Sequence, residues 1–243
     1  MNRRQQGGGR PRSKRQTTLY CFSPPVMIAT CVIEVGLALH TLWRYKMGAV
    51  SRLATLLLLF LATFQLAEFM VCRGVGDGLL WSRVGFAAIT TLPPLGLHLT
   101  YAVAGAKRRW LLWPAYLSGA AFLAFFSLIG RSIDGHACLG NYVIFQIAPG
   151  FGWLYGAYYY VWLIAALALG WRQLRCAEQR RKHRALAGLM FGYAIFLLPT
   201  TTVNFLKPET MAAIPSVMCG FAVLLALMLG FVVLPAAALK RKA

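Results

Sequence analysis

Acidic side chains are scarce in this 243-residue chain, which holds 6 Asp+Glu against 25 Lys+Arg. Charged residues of both signs make up only 13% of the sequence, against roughly 25% in soluble domains. This scarcity excludes a large solvated domain. A net charge of +19 would indicate nucleic-acid binding in a soluble protein, but here the bases lie in loops and tails between apolar segments. We expect them to contact the anionic headgroups of a lipid bilayer, and we expect no nucleic acid partner.

Several residue types are missing where familiar seven-helix membrane proteins need them. The last apolar segment has no lysine to carry retinal and no histidine to hold the metal of a ceramidase-type hydrolase. Only about nine residues follow that segment, so a kinase-coupled sensor of this type would need a separate membrane protein as its partner. No period of roughly 20–50 residues repeats, which disfavours an inverted-repeat transporter.

Apolar segments of about 18–21 residues fill most of the chain, and each is long enough to cross a hydrocarbon core of about 30 Å as a helix. They are too long for the strands of a membrane barrel. The sequence therefore predicts an all-α fold, a seven-transmembrane-helix bundle over residues 21–236, with a kink at Pro93-Pro94. The predicted spans are Pro25–Leu42, Leu53–Val71, Val84–Ala104, Trp110–Ile129, Phe151–Leu169, Ala185–Val203 and Ile214–Leu234.

The bases are distributed unequally between the two sides of this bundle. The linkers after spans one, three and five, together with the basic tail 237–243, carry fifteen Lys and Arg residues, and the other linkers carry four. Since bases are retained in the cytoplasm, the C-terminus is predicted to be cytoplasmic and the N-terminus outside, in a bacterial inner membrane. Residues 1–20 carry six bases and no acid. We predict a disordered tail there, which is either translocated despite its charge or not part of the natural chain.

With this orientation, polar side chains concentrate in the outer half of the bundle. Gln65, Glu68 and Cys72 share one face of the second span because they are three and four residues apart. The tyrosines of span five and the polar end of span six lie at the same side. The candidate ligand-binding residues are Gln65, Glu68, Tyr155, Tyr158, Thr201 and Asn204.

Three cysteines fall on the outer side, which is the oxidising side in bacteria. A disulfide that joins Cys138 to Cys72 or Cys21 is one interpretation. The other combines Cys21, Cys72, Cys138, His136 and Glu68 into a Zn²⁺ or copper site, because thiolate, imidazole and carboxylate ligands suit those ions. The sequence has neither a CxxC nor an HxxxH motif to support the metal, and both interpretations remain open.

Two further ionisable residues lie deep inside predicted spans. Glu34 is near the centre of span one, where it cannot reach the interface, so it is expected to be protonated and hydrogen-bonded or paired with a base. His98, in span three, is expected to be a bundle residue that makes a hydrogen bond rather than a ligand. Both are buried ionisable candidates.

Four short motifs together resemble a family of proteins. They are Cys21-Phe22-Ser23, the stretch Phe64–Phe69 with its Gln-x-x-Glu, Pro93-Pro94, and Ile214–Gly220. They are similar to an uncharacterised family of bacterial multi-pass membrane proteins that opens with Met-Cys-Phe-Ser and carries Gln-x-x-Glu at the end of the second span. The resemblance covers most of residues 21–235. It implies seven helices and draws attention to Cys21, Gln65 and Glu68, but it implies no activity.

Three functions therefore remain. The first is a bundle that binds or senses a small ligand or metal ion in a polar pocket open to the outer face. The second is an accessory subunit or a small-solute carrier that uses the aliphatic inner half. The third is an intramembrane enzyme acting on lipid, with Glu68 as general base and His136 as its partner.

Overall fold

The computed structural model describes residues 24–128, 133–139, 142–147, 151–206 and 214–240. Side chains are described within these ranges except those of Pro24, Phe196, Thr200, 203–206, 214–220 and both strands. The described chain is almost entirely helical. Its helices are α1 Pro24–Arg44, α2 Ala49–Arg73, α3 Gly78–Ala104, α4 Leu112–Leu128, α5 Gly152–Arg175, α6 Arg180–Leu206 and α7 Ile214–Met228. A π-helical turn, Leu229–Val233, extends α7 into a last α-helical turn, α8, Leu234–Ala237.

Local caps rather than hydropathy set the ends of α2 and α3. α2 ends at Gly74, which has a φ of 64°, a conformation that only glycine adopts without strain. α3 begins after Asp77, whose side chain accepts a hydrogen bond of 2.9 Å from the Leu79 N–H, and ends at Gly105 with a φ of 62°. The caps at Gly74 and Asp77 explain why α2 continues past Val71 and why α3 begins before Val84.

α3 is the central helix of the bundle. It contacts α2, α4, α5 and α6, and 78% of its most apolar 18-residue window is buried. α4 is peripheral by contrast, because only Ala115, Gly119 and Phe126 of its 17 residues are buried. The helix continues through Pro93 and Pro94.

Among the residues that the structure describes, four helices are long and apolar enough to cross a membrane: α1 from Pro25, α2, α3 and α5. α4 is shorter, and α6 begins with a run of basic residues that lowers its hydropathy. Large apolar side chains are exposed along the helices, and tryptophans are exposed near their ends, including Trp43 (79%), Trp113 (83%) and Trp153 (74%). Tryptophan at both ends of apolar helices is typical of membrane–water interfaces.

A β-hairpin interrupts the helical pattern between α4 and α5. Strand β1, Ile133–Leu139, pairs antiparallel with β2, Tyr142–Ile147, in a register that places His136 opposite Phe145 and Cys138 opposite Val143. The hairpin contacts α2, α3 and α7. The sequence predicts a loop between the fourth and fifth spans, and the hairpin is a local addition to a chain that is otherwise helical, as predicted. We call this side of the bundle the hairpin end.

The opposite side, which we call the basic end, joins the first linker to the end of the chain. Tyr45 forms an isolated antiparallel bridge with Lys240, and the Lys46 N–H donates a hydrogen bond of 2.8 Å to the Leu239 carbonyl. The end of α1 and the end of α8 therefore lie on the same side of the bundle.

Candidate functional site

Buried polar side chains concentrate on the first two helices. Ten polar or charged side chains other than tyrosine are buried in the part of the chain whose side chains are described, and seven of them belong to α1 and α2. Polar groups at membrane depth are rare unless they are satisfied or functional. We call the seven the polar seam: Thr30, Glu34, Thr41, Ser51, Thr55, Gln65 and Glu68.

The seam crosses the bundle from end to end because α1 and α2 run antiparallel. The Cys31 thiol donates to the Ala62 carbonyl over 3.5 Å, and further toward the basic end Ala38 packs against Leu58. These two contacts fix the relative height of the helices. Thr30, Gln65 and Glu68 lie in the hairpin half, Thr41, Ser51 and Thr55 lie in the basic half, and Glu34 lies between them.

Gln65 and Glu68 are the predicted ligand-binding pair, and both are buried, at 3% and 2% exposure. Glu68 follows Leu61 by seven residues, so the two side chains lie on the same face of α2. Leu57 and Leu61 line a cavity at the centre of the bundle. Glu68 therefore faces the bundle interior, on the hairpin side of that cavity.

Cys72, one turn beyond Glu68, is disulfide-bonded. Cys31 and Cys176 are free thiols. A disulfide sulfur is not available as a thiolate ligand, so this bond favours the first interpretation of Cys72 over the metal site. The other predicted members, Cys21, His136 and Cys138, have side chains outside the described part. Within that part, no three His, Cys, Asp or Glu residues come together as a metal site would require.

Glu34 is fully buried, at 0% exposure. Neither of its carboxyl oxygens has a hydrogen-bond partner among the described residues. The sequence leads us to expect a hydrogen bond or a basic partner, and the described residues supply neither. The helix α1 contacts α2 and α7, and the α2 segment at the height of Glu34, from Leu58 to Ala62, consists of apolar residues.

The predicted tyrosines of α5 bond to the central helix. A proline has no N–H, so Pro94 leaves the Thr90 carbonyl, four residues earlier, without its helical donor. The Tyr158 hydroxyl donates to that carbonyl over 2.6 Å, and the Tyr155 hydroxyl lies 3.2 Å from Thr90 Oγ1. Tyr158 thus replaces the hydrogen bond that Pro94 cannot make.

A second tyrosine acts on the other side of the two prolines. Tyr193 of α6 donates from its hydroxyl to the Gly96 carbonyl over 2.8 Å, and the Thr100 hydroxyl donates to the same carbonyl over 3.0 Å. A Cβ on Gly96 would lie 2.9 Å from the Tyr193 hydroxyl, and a Cβ on Gly119 would lie 3.0 Å from that of Tyr158. Both tyrosines therefore reach α3 because a glycine leaves room.

The cavity lies beside this hydrogen-bonded region. It measures about 20 Å³, which is room for about one water molecule. Its walls come from α2, α3, α5, α6 and α7 and are mostly aliphatic. The lining residues are Leu57, Leu61, Leu92, Gly96, Tyr159, Leu163, Tyr193, Ala222 and Leu225.

The remaining candidates take no part in this interior. Thr201 is exposed, and its hydroxyl donates to the Leu197 carbonyl of its own helix over 2.9 Å. His98 is partly buried, and its Nδ1 lies 3.0 Å from the Tyr116 hydroxyl of α4, a bundle hydrogen bond of the kind expected for it. The side chain of Asn204 lies outside the described part.

Sequence reasoning missed Tyr193, Gly96 and Gly119. A signal was present for the Thr90 carbonyl, because Pro94 cannot donate to it and it needs another donor. The Gly96 carbonyl gave no such signal, because the residue four positions later, Thr100, has an N–H. What the sequence could not show is which helix would supply the hydroxyl.

No protein-family model matches the chain, and no curated protein or solved structure is significantly similar to it. The function must therefore be inferred from the geometry.

Proposed function

We propose that this chain is a seven-span protein of the bacterial inner membrane that binds a small ligand or metal ion from the outer face. The binding residues would be Gln65 and Glu68 in the hairpin half of the bundle interior. The observation that carries this proposal is the burial of both side chains on one face of α2, above a cavity with mostly aliphatic walls. A carboxyl group at that depth is by default a candidate for a functional site.

The sidedness is supported by charge and by sulfur chemistry together. The hairpin end has few bases, and Cys72 near it is disulfide-bonded. Cys176, in the linker after α5 at the basic end, is an exposed free thiol. Disulfides persist in the oxidising periplasm, and thiols stay reduced in the cytoplasm. Both signals favour the hairpin end as the outer side.

The number of crossings is supported by the pairing of Tyr45 with Lys240. Because the end of α1 and the end of α8 meet on one side, the chain between them must cross an even number of times. Six helices, α2 to α7, satisfy this condition, and α1 makes the seventh crossing. The shorter α4 can cross with local thinning of the bilayer.

A carboxylate beside a primary amide favours ligands with hydrogen-bond donors or positive charge. We therefore expect small cationic metabolites or divalent metal ions rather than anions. Because the Cys72 sulfur is in a disulfide, the candidate metal ligands that remain in this region are the side-chain oxygens of Gln65 and Glu68. Oxygen ligands disfavour the softest metals.

Thermal unfolding of the full chain in detergent tests the proposal against panels of divalent metal ions and cationic metabolites. A ligand present at about 100 times its Kd should stabilise the protein by about 2.7 kcal/mol. We expect Glu68→Gln to abolish the stabilisation. Glu178→Gln is the matched control, because Glu178 is an exposed acid at the basic end, and it should leave the stabilisation intact. Equal stabilisation of wild type and Glu68→Gln would refute the role of Glu68.

A further inference from the structure

Glu34 stands apart from the rest of the polar seam. The hydroxyls of Thr30, Thr41 and Thr55 each donate to a carbonyl of their own helix. Glu34 has neither oxygen bonded among the described residues and is fully buried. It also lies near the middle of α1, so its side chain cannot reach either interface. The carboxyl group therefore needs an explanation other than local hydrogen bonding.

No positive charge faces Glu34 from the described residues. On its own helix the nearest titratable group is the Cys31 thiol, one turn toward the hairpin end. On α2, Arg52 and Glu68 each lie six residues beyond the contacts of Leu58 and Ala62. From Phe221 to Leu239, the last segment has no titratable side chain. A carboxylate here would thus be desolvated with no compensating partner, which strongly favours the neutral acid.

The residues on the two sides of Glu34 along the bundle axis differ in polarity. Toward the basic end, Ala38, Leu58 and Ala226 pack together and are each 0% exposed. We call these three residues the apolar layer. Toward the hairpin end, the seam continues with Thr30, Gln65 and Glu68, all buried side chains that can donate or accept hydrogen bonds.

We propose that Glu34 is a proton-binding site that is loaded from the outer side through Gln65 and Glu68 and is closed to the cytoplasm by the apolar layer. On loading, an O–H bond forms on one Glu34 oxygen and an O–H bond of a hydronium ion at the outer surface breaks. Release reverses both changes, with water as the acceptor. No electron is transferred and no other reactant is needed.

This inference goes beyond ligand binding and does not require it. It shares two things with the proposed function: the orientation, because the outer side must be the hairpin end, and the residues Gln65 and Glu68, which here form the route to Glu34. Ligand-dependent stabilisation and proton loading are measured separately, so either can fail while the other stands.

The test is chemical labelling of the full chain in right-side-out membrane vesicles. Dicyclohexylcarbodiimide reacts with protonated carboxyl groups in apolar surroundings and leaves a stable adduct that mass spectrometry can assign to a residue. We expect the adduct on Glu34, at a rate that falls as the external pH is raised, by up to about tenfold per pH unit once the group ionises. Changing the internal pH should have no effect.

Variants distinguish the proton route through Glu68 from the proton-binding site at Glu34. Glu68→Gln should slow the response of Glu34 labelling to an external pH jump, whereas Glu178→Gln should not. Leu58→Ser opens the apolar layer and should make the labelling respond to internal pH; if Leu58→Ser does not fold, Ala38→Ser is the milder substitution at the same layer.

Three outcomes would overturn the proposal. They are no adduct on Glu34 at any pH, a labelling rate independent of pH on both sides, or a rate that follows internal pH in the wild type. Infrared spectroscopy provides a second readout that does not depend on reagent access. The C=O stretch of a protonated carboxyl should be present in the wild type and absent in Glu34→Gln, and its presence in both would assign it elsewhere.

Discussion

The buried polar groups on the two sides of α3 differ in whether they have hydrogen-bond partners. On the side of α5 and α6, carbonyls beside the two prolines receive hydroxyl donors from Tyr158 and Tyr193. On the side of α1, the Glu34 carboxyl has no partner among the described residues. Satisfied groups hold a bundle in one arrangement, and an unsatisfied acid lowers stability. The difference indicates that the tyrosine side holds the bundle in one arrangement, and it is the reason why we propose the α1–α2 side as the functional one.

The largest effect should come from filling the space that admits Tyr158. Gly119→Val places a side chain against the Tyr158 hydroxyl and near Pro94, so the hydroxyl must move away from Thr90. We expect a loss of about 3 kcal/mol in the free energy of unfolding, from overpacking together with the broken hydrogen bond. Chemical denaturation in mixed detergent measures it. Gly156→Val is the control, because nothing lies within 4 Å of a Cβ at Gly156; equal losses would show that the clash is unimportant.

Tyr158→Phe should cost about 2 kcal/mol, because it leaves the Thr90 carbonyl buried without its donor. The replacement of the proline hydrogen bond can be tested directly. Pro94→Ala restores an N–H that can bond to Thr90, so Tyr158→Phe should be nearly neutral in the Pro94→Ala background. A double-mutant cycle gives the coupling between the two positions. If the effects of Tyr158→Phe and Pro94→Ala on the free energy of unfolding were additive, the Tyr158 hydroxyl would not be replacing the hydrogen bond that Pro94 cannot make.

Glu34→Leu should change stability in the opposite direction. Replacing a buried acid that lacks a partner with an apolar side chain should raise the free energy of unfolding by about 1 kcal/mol. The same denaturation assay measures the gain. A clear loss would mean that the carboxyl group makes a stabilising contact, and the contrast between the two sides of α3 would disappear.

Tyr193→Phe should have a smaller effect than Tyr158→Phe, about 1 kcal/mol. The Gly96 carbonyl keeps the Thr100 hydroxyl as a donor, and no proline removes the N–H of residue 100 that is its helical donor, so it is not left unsatisfied. Thr100→Val combined with Tyr193→Phe should then cost about the sum of the two single changes. A loss well above that sum would show that the carbonyl depends on the two hydroxyls.

Thr201→Val should have the smallest effect, within about 0.5 kcal/mol. The side chain is exposed and bonds only to its own helix among the described contacts. The same variant should leave ligand-dependent stabilisation unchanged. If Thr201→Val abolished the ligand-dependent stabilisation, Thr201 would be a ligand-binding residue after all.

The sequence predicted the helices better than the contacts between them. Each predicted span falls within or overlaps a helix, because hydrophobic length is a property of the local sequence. The ends at Gly74 and Gly105 depend on backbone conformation instead. The hairpin could have been suspected from Gly140-Asn141 between two short apolar runs, since Gly-Asn is a two-residue hairpin signal.

The candidate site was predicted in part. Gln65, Glu68 and Glu34 stand out in any apolar segment because polar residues are rare there. Their burial and the direction that Glu68 faces follow from helix packing. The pairing of Tyr158 with Thr90 joins residues far apart in the chain, and spacing within one helix carries no information about it.

The bridge between Tyr45 and Lys240 has a consequence for the order of assembly. α7 is synthesised after the other six helices, and the last residues of the apolar layer and of the bridge come with it. Until then the α1–α2 pair lacks the contact that Ala226 makes with Ala38 and Leu58. The packing beside Glu34 is therefore completed only after the other described helices have been made.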